Sequence, residues 1–312
     1  MISLRQHAIS LAAVFLALAV GVVLGSGLLS DTLVSGLRDD KQQLQDRISG
    51  LDQHNNALTE KLSAAGEFDA EMAGRIVHGA LNEKSVVIIR TPDATDDVVT
   101  SLTRLVGDAG GTVTGAVTLT QQFVDANAAD KLLSVVNSLI VPAGTQLNTT
   151  SVDQGAQAGD LLGAVLQISK NPATPPVNDM QRETVLEALR QTGFITYSDK
   201  VAAANTAIVV TGGVMKEDAG NTGPTVARFA MALAPHGAGT VLAGADGSAS
   251  GTAAVAVVRA DSGMAGAVTT VDDVDMESGR ITAILALQDL LNGARTGQYG
   301  TGEGAQALTV PQ

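Results

Sequence analysis

The sequence predicts an α/β protein in which an N-terminal transmembrane helix and a parallel, dimeric coiled coil precede a Rossmann-like domain with a mostly parallel sheet. An uncharged apolar run at residues 8–30, leucines repeated every seven residues, and alternating strand-like and helical patterns indicate these three parts. The predicted boundaries are 1–30 for the anchor, 31–67 for the coiled coil, 68–292 for the α/β domain and 293–312 for a flexible tail.

The composition excludes several classes of protein. A formal net charge of −13 and a pI near 4.6 oppose nucleic-acid binding, which relies on clustered Lys and Arg. The absence of cysteine excludes disulfides, thiolate nucleophiles and cysteine-based zinc sites. With five Phe, two Tyr and no Trp, the core must consist mainly of Ala, Val, Leu and Ile.

The uncharged run from Ala8 to Ser30 is long enough to cross a bilayer, because it would span ~30 Å as a helix. A cleaved secretory signal is the alternative, since Gly25–Gly27 forms a weak small-x-small cleavage site. Arg5 precedes the run and Asp31 follows it. The excess of positive charge on the N-terminal side therefore predicts a cytoplasmic N-terminus, with the rest of the chain outside.

Small residues recur every four positions within the predicted anchor, at Ala13, Ala17, Gly21 and Gly25. This spacing places them on one helix face, where two membrane helices could approach closely. The alternative is chance, because Ala and Gly are common in such helices. The pattern predicts a packing face between two anchors.

Leucines recur every seven residues after the anchor, as in a coiled coil. The d positions are Leu37, Leu44, Leu51 and Leu58. The a positions are Val34, Lys41, Ile48, Asn55 and Leu62. Asn55 favours a parallel dimer because two amides can pair in the same core layer, and Lys41 disfavours higher oligomers because more ammonium groups would crowd one layer. These a and d residues form the predicted dimer interface.

A single amphipathic helix packed on the globular domain is the alternative to this coiled coil. Gly50 supports that alternative, because glycine inside a helix costs ~1 kcal/mol relative to Ala. Two anchors must, however, point the same way through the membrane. Packing of the anchors and a parallel coiled coil therefore support each other.

Strand-like and helical patterns alternate through the rest of the chain. The predicted strands are 85–90, 112–120, 194–197, 207–211, 240–243 and 267–271. The predicted helices are 68–81, 93–108, 130–139, 159–169, 177–192, 225–233, 251–259 and 278–291. Residues 86–119 and 207–243 share an order of strand, helix, glycine pair and strand, which suggests an internal duplication with a break near 171–206.

A candidate ligand crevice follows from the predicted sheet, because ligands of open parallel sheets bind beyond the carboxyl ends of the strands. These ends carry Thr211, Gly212 and Gly213 in one place, and Asp272 and Asp273 in another. The simpler interpretation, which we favour, is that the glycines form turns and the carboxylates cap the last helix.

No catalytic constellation is found, and the chain is predicted not to be an enzyme, with no catalytic residues and no assigned cofactor. Soft metals use thioether and imidazole ligands, but the methionines are widely spaced and are expected to fill the core. Beyond the first residue they are Met72, Met180, Met215, Met231, Met264 and Met276. Metal ligands therefore stay unassigned.

Three blocks of the sequence carry a resemblance to a known family. They are MISLRQHAISLAAVFLALAVGVVLGSG at Met1–Gly27, TVDDVDMESGR at Thr270–Arg280 and QYGTG around Tyr299. The chain as a whole resembles the actinobacterial MctB copper transporter family, which includes SteB-like envelope proteins. The resemblance implies copper efflux or an outer-membrane channel, and for SteB-like members a role in envelope or division complexes. It transfers no ligand residues, so copper is implied by the family alone.

A single spanning helix limits the channel interpretation, because a parallel dimer supplies only two. Seven aromatic residues are also too few for the girdles of a transmembrane barrel. The prediction is copper efflux or homeostasis at the cell envelope, with a non-enzymatic, membrane-anchored dimeric scaffold or regulator of an envelope or division complex as the alternative. We expect the inner membrane, with the outer membrane as the alternative. The expected partners are a second copy, the membrane and another envelope or division protein, without nucleic acid.

Overall fold

The structure is a computed structural model. It describes residues 4–25, 28–138, 140–145, 147–148, 153–171, 176–197, 200–215 and 219–311. The chain divides into two compact units, residues 1–65 and 66–312.

The helices and strands follow the predicted order closely. The helices are α1 (Leu4–Gly25), α2 (Leu28–Ile76), α3 (Asp96–Asp108), α4 (Gln121–Val124), α5 (Ala129–Val136), α6 (Gln154–Leu166), α7 (Asp179–Gln191), α8 (Thr222–Leu233), α9 (Ala254–Ala260), α10 (Ser262–Ala265) and α11 (Glu277–Leu291). The strands are β1 (Ser85–Arg90), β2 (Thr112–Leu119), β3 (Ile195–Thr196), β4 (Thr206–Thr211), β5 (Thr240–Gly244), β6 (Thr269–Val271) and β7 (Gln298–Tyr299). Short 3-10 turns occupy Ala126–Ala128 and Ala234–His236.

The first unit begins with the apolar helix that the sequence predicts. Within α1, the segment Leu4–Val23 has a mean hydropathy of 2.0, and its most apolar residues are not buried by the rest of the protein. Its length and composition are sufficient to cross a membrane. The N-terminal apolar helix is confirmed.

Helix α2 has 49 residues and a length of about 70 Å. The predicted d leucines and the a residues Ile48 and Leu62 lie on it with half or more of their surface exposed. Val34 lies among the residues whose side chains are not described. The helix also continues to Ile76, where a separate helix over 68–81 was predicted. No proline interrupts it, and Ala73 becomes buried in the core of the second unit.

The second unit contains one seven-stranded sheet with the order β3-β2-β1-β4-β5-β6-β7. All neighbouring strands are parallel except β2 and β3. The chain starts in the centre at β1, runs outward to β2, and returns to pair β4 with β1. This arrangement is the doubly wound order of Rossmann-like folds and confirms the predicted α/β class.

The two segments that suggest a duplication contribute β1-α3-β2 and β4-α8-β5 to this single sheet. Their first strands pair with each other, from Val86 with Thr206 to Arg90 with Val210. The two halves therefore build one continuous structure, and their common origin stays a hypothesis.

The sheet buries both faces, so alternate residues of each central strand belong to different cores. Val87 and Ile89 of β1 pack in the core that includes α5 to α9, whereas Val86 and Ile88 pack in the core that includes α3 and α11. A strand buried on both sides needs apolar residues at every position. This need explains why the central residues of β1, Val86–Ile89, form a continuous apolar run in the sequence.

Helices α6 and α8 approach each other through glycines. A Cβ added at Gly155 or Gly159 would lie 2.2 or 2.3 Å from a backbone carbonyl oxygen of α8. Such distances leave no space for a side chain, so the two backbones are nearly in contact. The sequence predicts this helix only from residue 159. It begins earlier, at Gln154, where the side chain of Asp153 accepts a hydrogen bond from Ala156 N.

Residues after Leu291 do not form the predicted flexible tail, because β7 pairs in parallel with β6. Polar side chains hold this short strand. The amide of Gln298 donates to the carbonyl oxygens of Ala265 and Val268, and accepts from Thr270 Oγ1 at 2.6 Å. The sequence did not reveal the strand, since it is only two residues long and its first residue, Gln298, is held by polar contacts with distant residues.

Gly159→Ala is expected to destabilise the protein by about 1–3 kcal/mol, because the new methyl group would overlap the backbone of α8. The loss should occur even though alanine favours a helix over glycine by about 1 kcal/mol. Thermal unfolding of the purified full chain in detergent, followed by circular dichroism, measures the change.

Gly107→Ala is the matched control, because no atom lies within 4 Å of a Cβ at this position in α3. It should stabilise the protein by up to about 1 kcal/mol. The same increase in Tm for both variants would contradict the close α6–α8 contact.

Candidate functional site

At the end of β4, the glycines of the predicted crevice contact neighbouring loops of the protein. Gly212 N donates to Asp93 Oδ2 at 3.2 Å, and the other oxygen of Asp93 accepts from the hydroxyl of Thr91. A Cβ at Gly213 would lie 2.0 Å from the carbonyl oxygen of Asp246. The glycines therefore allow two loops to pack against the strand end. The expected capping of the last helix by Asp272 and Asp273 was wrong, because the N-cap residue of α11 is Met276 and it has no side-chain cap hydrogen bond.

At the end of β6, Asp272 holds the segment that follows β7. It is 1% exposed and accepts hydrogen bonds from Arg259 Nη1 at 2.6 Å, Thr301 N at 2.7 Å and Gly302 N at 3.1 Å. Arg259 in turn donates to the carbonyl oxygen of Tyr299 at 2.6 Å. We call Arg259, Asp272 and residues 299–303 the C-terminal clasp.

Asp273 lies beside this clasp with a positive φ of 65°. Its Oδ2 accepts from Thr301 Oγ1 at 2.6 Å. Burial raises the pKa of Asp273, and its hydrogen bond to Asp272 and the charge of Asp272 raise it further. Burial also disfavours ionised Asp272, but hydrogen bonds from Asp273 and Arg259 outweigh it and lower the pKa of Asp272. Both carboxylates thus have structural partners, and a ligand crevice at Thr211–Gly213 and Asp272–Asp273 stays a prediction.

A cavity of about 1080 Å³ lies elsewhere in the second unit, beside α6 and α8. Its walls come from these two helices, from α10, and from the segments around residues 144–148, 167–171 and 176–177. A volume of this size is at the upper end of the range for small-molecule sites. We call it the α6–α8 cavity.

Asp160 and His236 form a hydrogen-bonded pair in the wall of this cavity. Asp160 Oδ1 lies 2.6 Å from Nε2 of His236, and Asp160 Oδ2 accepts from Asn148 N at 2.5 Å. His236 packs closely on α6, because a Cβ at Gly163 would lie 2.4 Å from its Cδ2. The carboxylate and the glycine together fix the position of the imidazole ring.

Two arginines line the cavity, and each is paired with a carboxylate. Arg182 is almost fully buried, with Nη1 2.6 Å from Asp179 Oδ1 and Nε donating to Val165 O at 2.7 Å. Arg228 Nη2 lies 2.9 Å from Asp153 Oδ2. These pairs compensate the positive charge at the cavity wall.

Gln167 also lines the cavity, with 6% of its surface exposed. Neither its amide nitrogen nor its amide oxygen has a hydrogen-bond partner among the described residues. Burying an unpaired amide is costly, so such groups are usually satisfied by water or a ligand. Both amide atoms of Gln167 are themselves buried, so they belong to the wall and do not face the open space of the cavity.

Two methionines, Met231 on α8 and Met264 on α10, line the same cavity. The expectation that the methionines fill the core holds in part for Met264, which is partly buried and packs against a core cluster. It was wrong for the others as a group, because none of the six beyond Met1 is fully buried. Met231 is 41% exposed although most of α8 is buried. Apolar periodicity does not distinguish a helix position that faces a cavity from one that faces the core, which explains the error.

No group of three or more His, Cys, Asp or Glu side chains that could hold a metal ion is found in the described ranges. The α6–α8 cavity offers thioether and imidazole donors instead. Sequence reasoning missed this site because its residues come from distant parts of the chain. One signal in the sequence could have indicated the site. Glycine recurs at every fourth position of α6, at 155, 159 and 163, and this spacing marks the close helix contact beside His236.

Comparison with known proteins gives full-length similarity. The family described as "Copper transport outer membrane protein, MctB" matches residues 1–310. A protein named copper transporter MctB from Mycobacterium tuberculosis (strain ATCC 25618 / H37Rv) is 62% identical over 314 residues, covering all of both chains. A protein of the same name from Mycobacterium leprae (strain TN) is 65% identical over 317 residues, again covering all of both chains.

Asp273→Asn is expected to raise the Tm slightly at pH 7. The gain in free energy of unfolding should be less than about 1 kcal/mol, because the site is partly exposed and solvent screens its charge. Its raised pKa means that ionisation of Asp273 costs stability as pH rises through the folded pKa, and asparagine removes that charge. Asparagine also tolerates the positive φ and can still accept from Thr301. Thermal unfolding at pH 7 and at pH 3 measures the difference.

At pH 3, below the ordinary pKa of 3.8 for an aspartate side chain, the advantage of this variant should shrink. Asp97→Asn makes the same charge change on the exposed first turn of α3 and should not raise the Tm. A lower Tm for Asp273→Asn at pH 7 would show that its charge stabilises the clasp.

Proposed function

Because the chain belongs to the MctB family, we propose that it acts in copper efflux and homeostasis at the cell envelope. Similarity over the full length is the observation that carries this proposal. The anchor helix and the α/β unit are both inside the matched region, so the proposal concerns the whole chain.

We further propose that α1 anchors the chain in the inner membrane, with its N-terminus in the cytoplasm. Arg5 before the apolar segment, Asp31 after it and the exposure of its apolar side chains support this topology. The α/β unit then lies outside the cytoplasm. The family description names the outer membrane, which stays the alternative, and fractionation of cells that carry a C-terminally tagged chain distinguishes the two.

Pairing of α2 is proposed as a parallel coiled coil. Its a and d residues form an apolar stripe, and Leu51, for example, is 62% exposed. The side-chain amide of Asn55 has no hydrogen bond within the described part of the chain and is available to pair across a dimer. On α1, Gly21 and Gly25 have no atom within 4 Å of a Cβ position, which leaves room for a second anchor.

Two spanning helices are too few for an obvious conduit, so we propose that the chain binds copper on the extracytoplasmic side and passes it to further components. A dimeric scaffold or regulator of an envelope or division complex is the second candidate. The apolar stripe of α2 favours it, because its exposed a and d residues can pair with a second copy.

Deleting the gene is expected to raise the copper content of cells several-fold and to increase their sensitivity to copper in the medium, because efflux is lost. Elemental analysis of washed cells measures copper, with zinc in the same samples as the internal control. Complementation with the full chain should restore the copper content. Unchanged copper together with a division or cell-wall defect would favour the scaffold function.

Leu51→Cys is expected to form a disulfide-linked dimer under mild oxidation, because d residues of a parallel coiled coil face each other. The chain contains no cysteine, so each single variant reports on one position. Non-reducing electrophoresis of the protein in membranes measures the cross-link.

Gln53→Cys is the matched control, because it lies at the outward f position of the same turn. Equal cross-linking of the two variants, or none with Leu51→Cys, would contradict the parallel dimer.

A further inference from the structure

We propose that the α6–α8 cavity binds a cuprous ion through the thioether sulfurs of Met231 and Met264 and through Nδ1 of His236. This inference rests on the proposed copper function, and it names the oxidation state and the ligands. The three residues come from α8, from the 3-10 turn that follows it and from α10, and all three line the same cavity.

The imidazole of His236 is oriented for this role. Asp160 Oδ1 lies 2.6 Å from Nε2, so the neutral ring carries its proton on Nε2 and donates it to the carboxylate. Nδ1 then keeps a free lone pair, and it has no hydrogen-bond partner among the described residues. A carboxylate that holds the far nitrogen of a histidine is the usual support of a metal-bound imidazole.

The exposure of Met231 is the second observation. The residues around it on α8 are mostly buried, including Ala230 and Leu233, whereas Met231 is 41% exposed and faces the cavity. Burial in the core therefore does not explain a thioether here. Met264, partly buried, adds a second sulfur donor from another helix.

The donor set selects for a soft ion. Thioether sulfur and imidazole nitrogen favour Cu(I), whereas Ca²⁺ and Mg²⁺ require several oxygen ligands. The two carboxylates among the described lining residues are already engaged, Asp153 with Arg228 and Asp160 with His236. Within the described part of this wall, hard cations thus find no free carboxylate, and the paired arginines leave little net charge to repel a monovalent ion.

The cavity volume of about 1080 Å³ exceeds what a bare ion needs. The remaining space gives water or a copper donor access to the ion. The cavity thus leaves enough space for copper to be exchanged with a donor or an acceptor molecule.

The test is competition for Cu(I) between the purified full-length chain in detergent and the colorimetric chelator bicinchoninate, under anaerobic, reducing conditions. The wild-type chain should withdraw one equivalent of Cu(I). The double variant Met231→Leu/Met264→Leu should weaken binding by about tenfold or more, and so should His236→Gln. Met180→Leu is the matched control, because Met180 is 79% exposed and outside the cavity wall, and it should bind as the wild type does.

X-ray absorption of the Cu(I)-loaded wild-type chain gives a second, substitution-free measurement. Two sulfur neighbours and one nitrogen neighbour are expected. Scattering from nitrogen and oxygen alone would overturn the inference, as would no binding by the wild type or equal binding by wild-type and substituted chains. Leucine is close to methionine in volume, and circular dichroism verifies that the variants are folded.

Copper content of the complemented deletion strain separates this inference from the function on which it rests. If the wild-type chain restores the copper content and the double methionine variant does not, the proposed function and the proposed ligands are both supported. If both chains restore the copper content, the copper function is kept and the proposed ligands are overturned. No effect of the wild type on cell copper would overturn the proposed function, while the binding measurements would still report on the site.

Discussion

The close contact of α6 with α8 is the constraint on which the α6–α8 cavity depends. Glycines at 155 and 159 bring the two backbones together, and the third glycine of the series, Gly163, admits the ring of His236 against α6. Side chains at these positions would separate the helices and move His236 away from Asp160. The sheet beneath requires helices on this face because its central strands are buried on both sides. Packing of the core and shape of the cavity thus follow from the same few residues.

Most of the fold could be predicted from the sequence because a doubly wound sheet leaves a strong local pattern. Runs such as Val86–Ile89 are apolar throughout, and glycine or proline separates them from amphipathic helices. The polar strand β7 could not be recognised in this way. Its two residues are fixed by distant partners, with Arg259 holding Tyr299 O and Thr270 contacting Gln298, and no pattern in neighbouring residues reports such contacts.

The candidate site was much harder to predict than the fold. Glycines and carboxylates at strand ends suggested a crevice, but Asp93 and the C-terminal clasp use those groups inside the protein. Met231 and Met264 are far apart in the sequence and looked like core residues, although the fold brings both to one cavity. Linear spacing is informative for ligands on one helix. It is uninformative when the donors come from several elements around a cavity.

The C-terminal clasp also bears on how the second unit reaches its folded state. Strand β1 is synthesised early, whereas β7 is synthesised last. Strand β6 therefore remains an edge strand until β7 pairs with it and Asp272 and Arg259 bind the residues that follow. A nascent chain would expose the unpaired hydrogen-bonding groups of β6 during this interval, and such edges attract other strands. Truncation before Gln298 would make that exposure permanent, so the shortened chain is expected to aggregate through the free edge of β6.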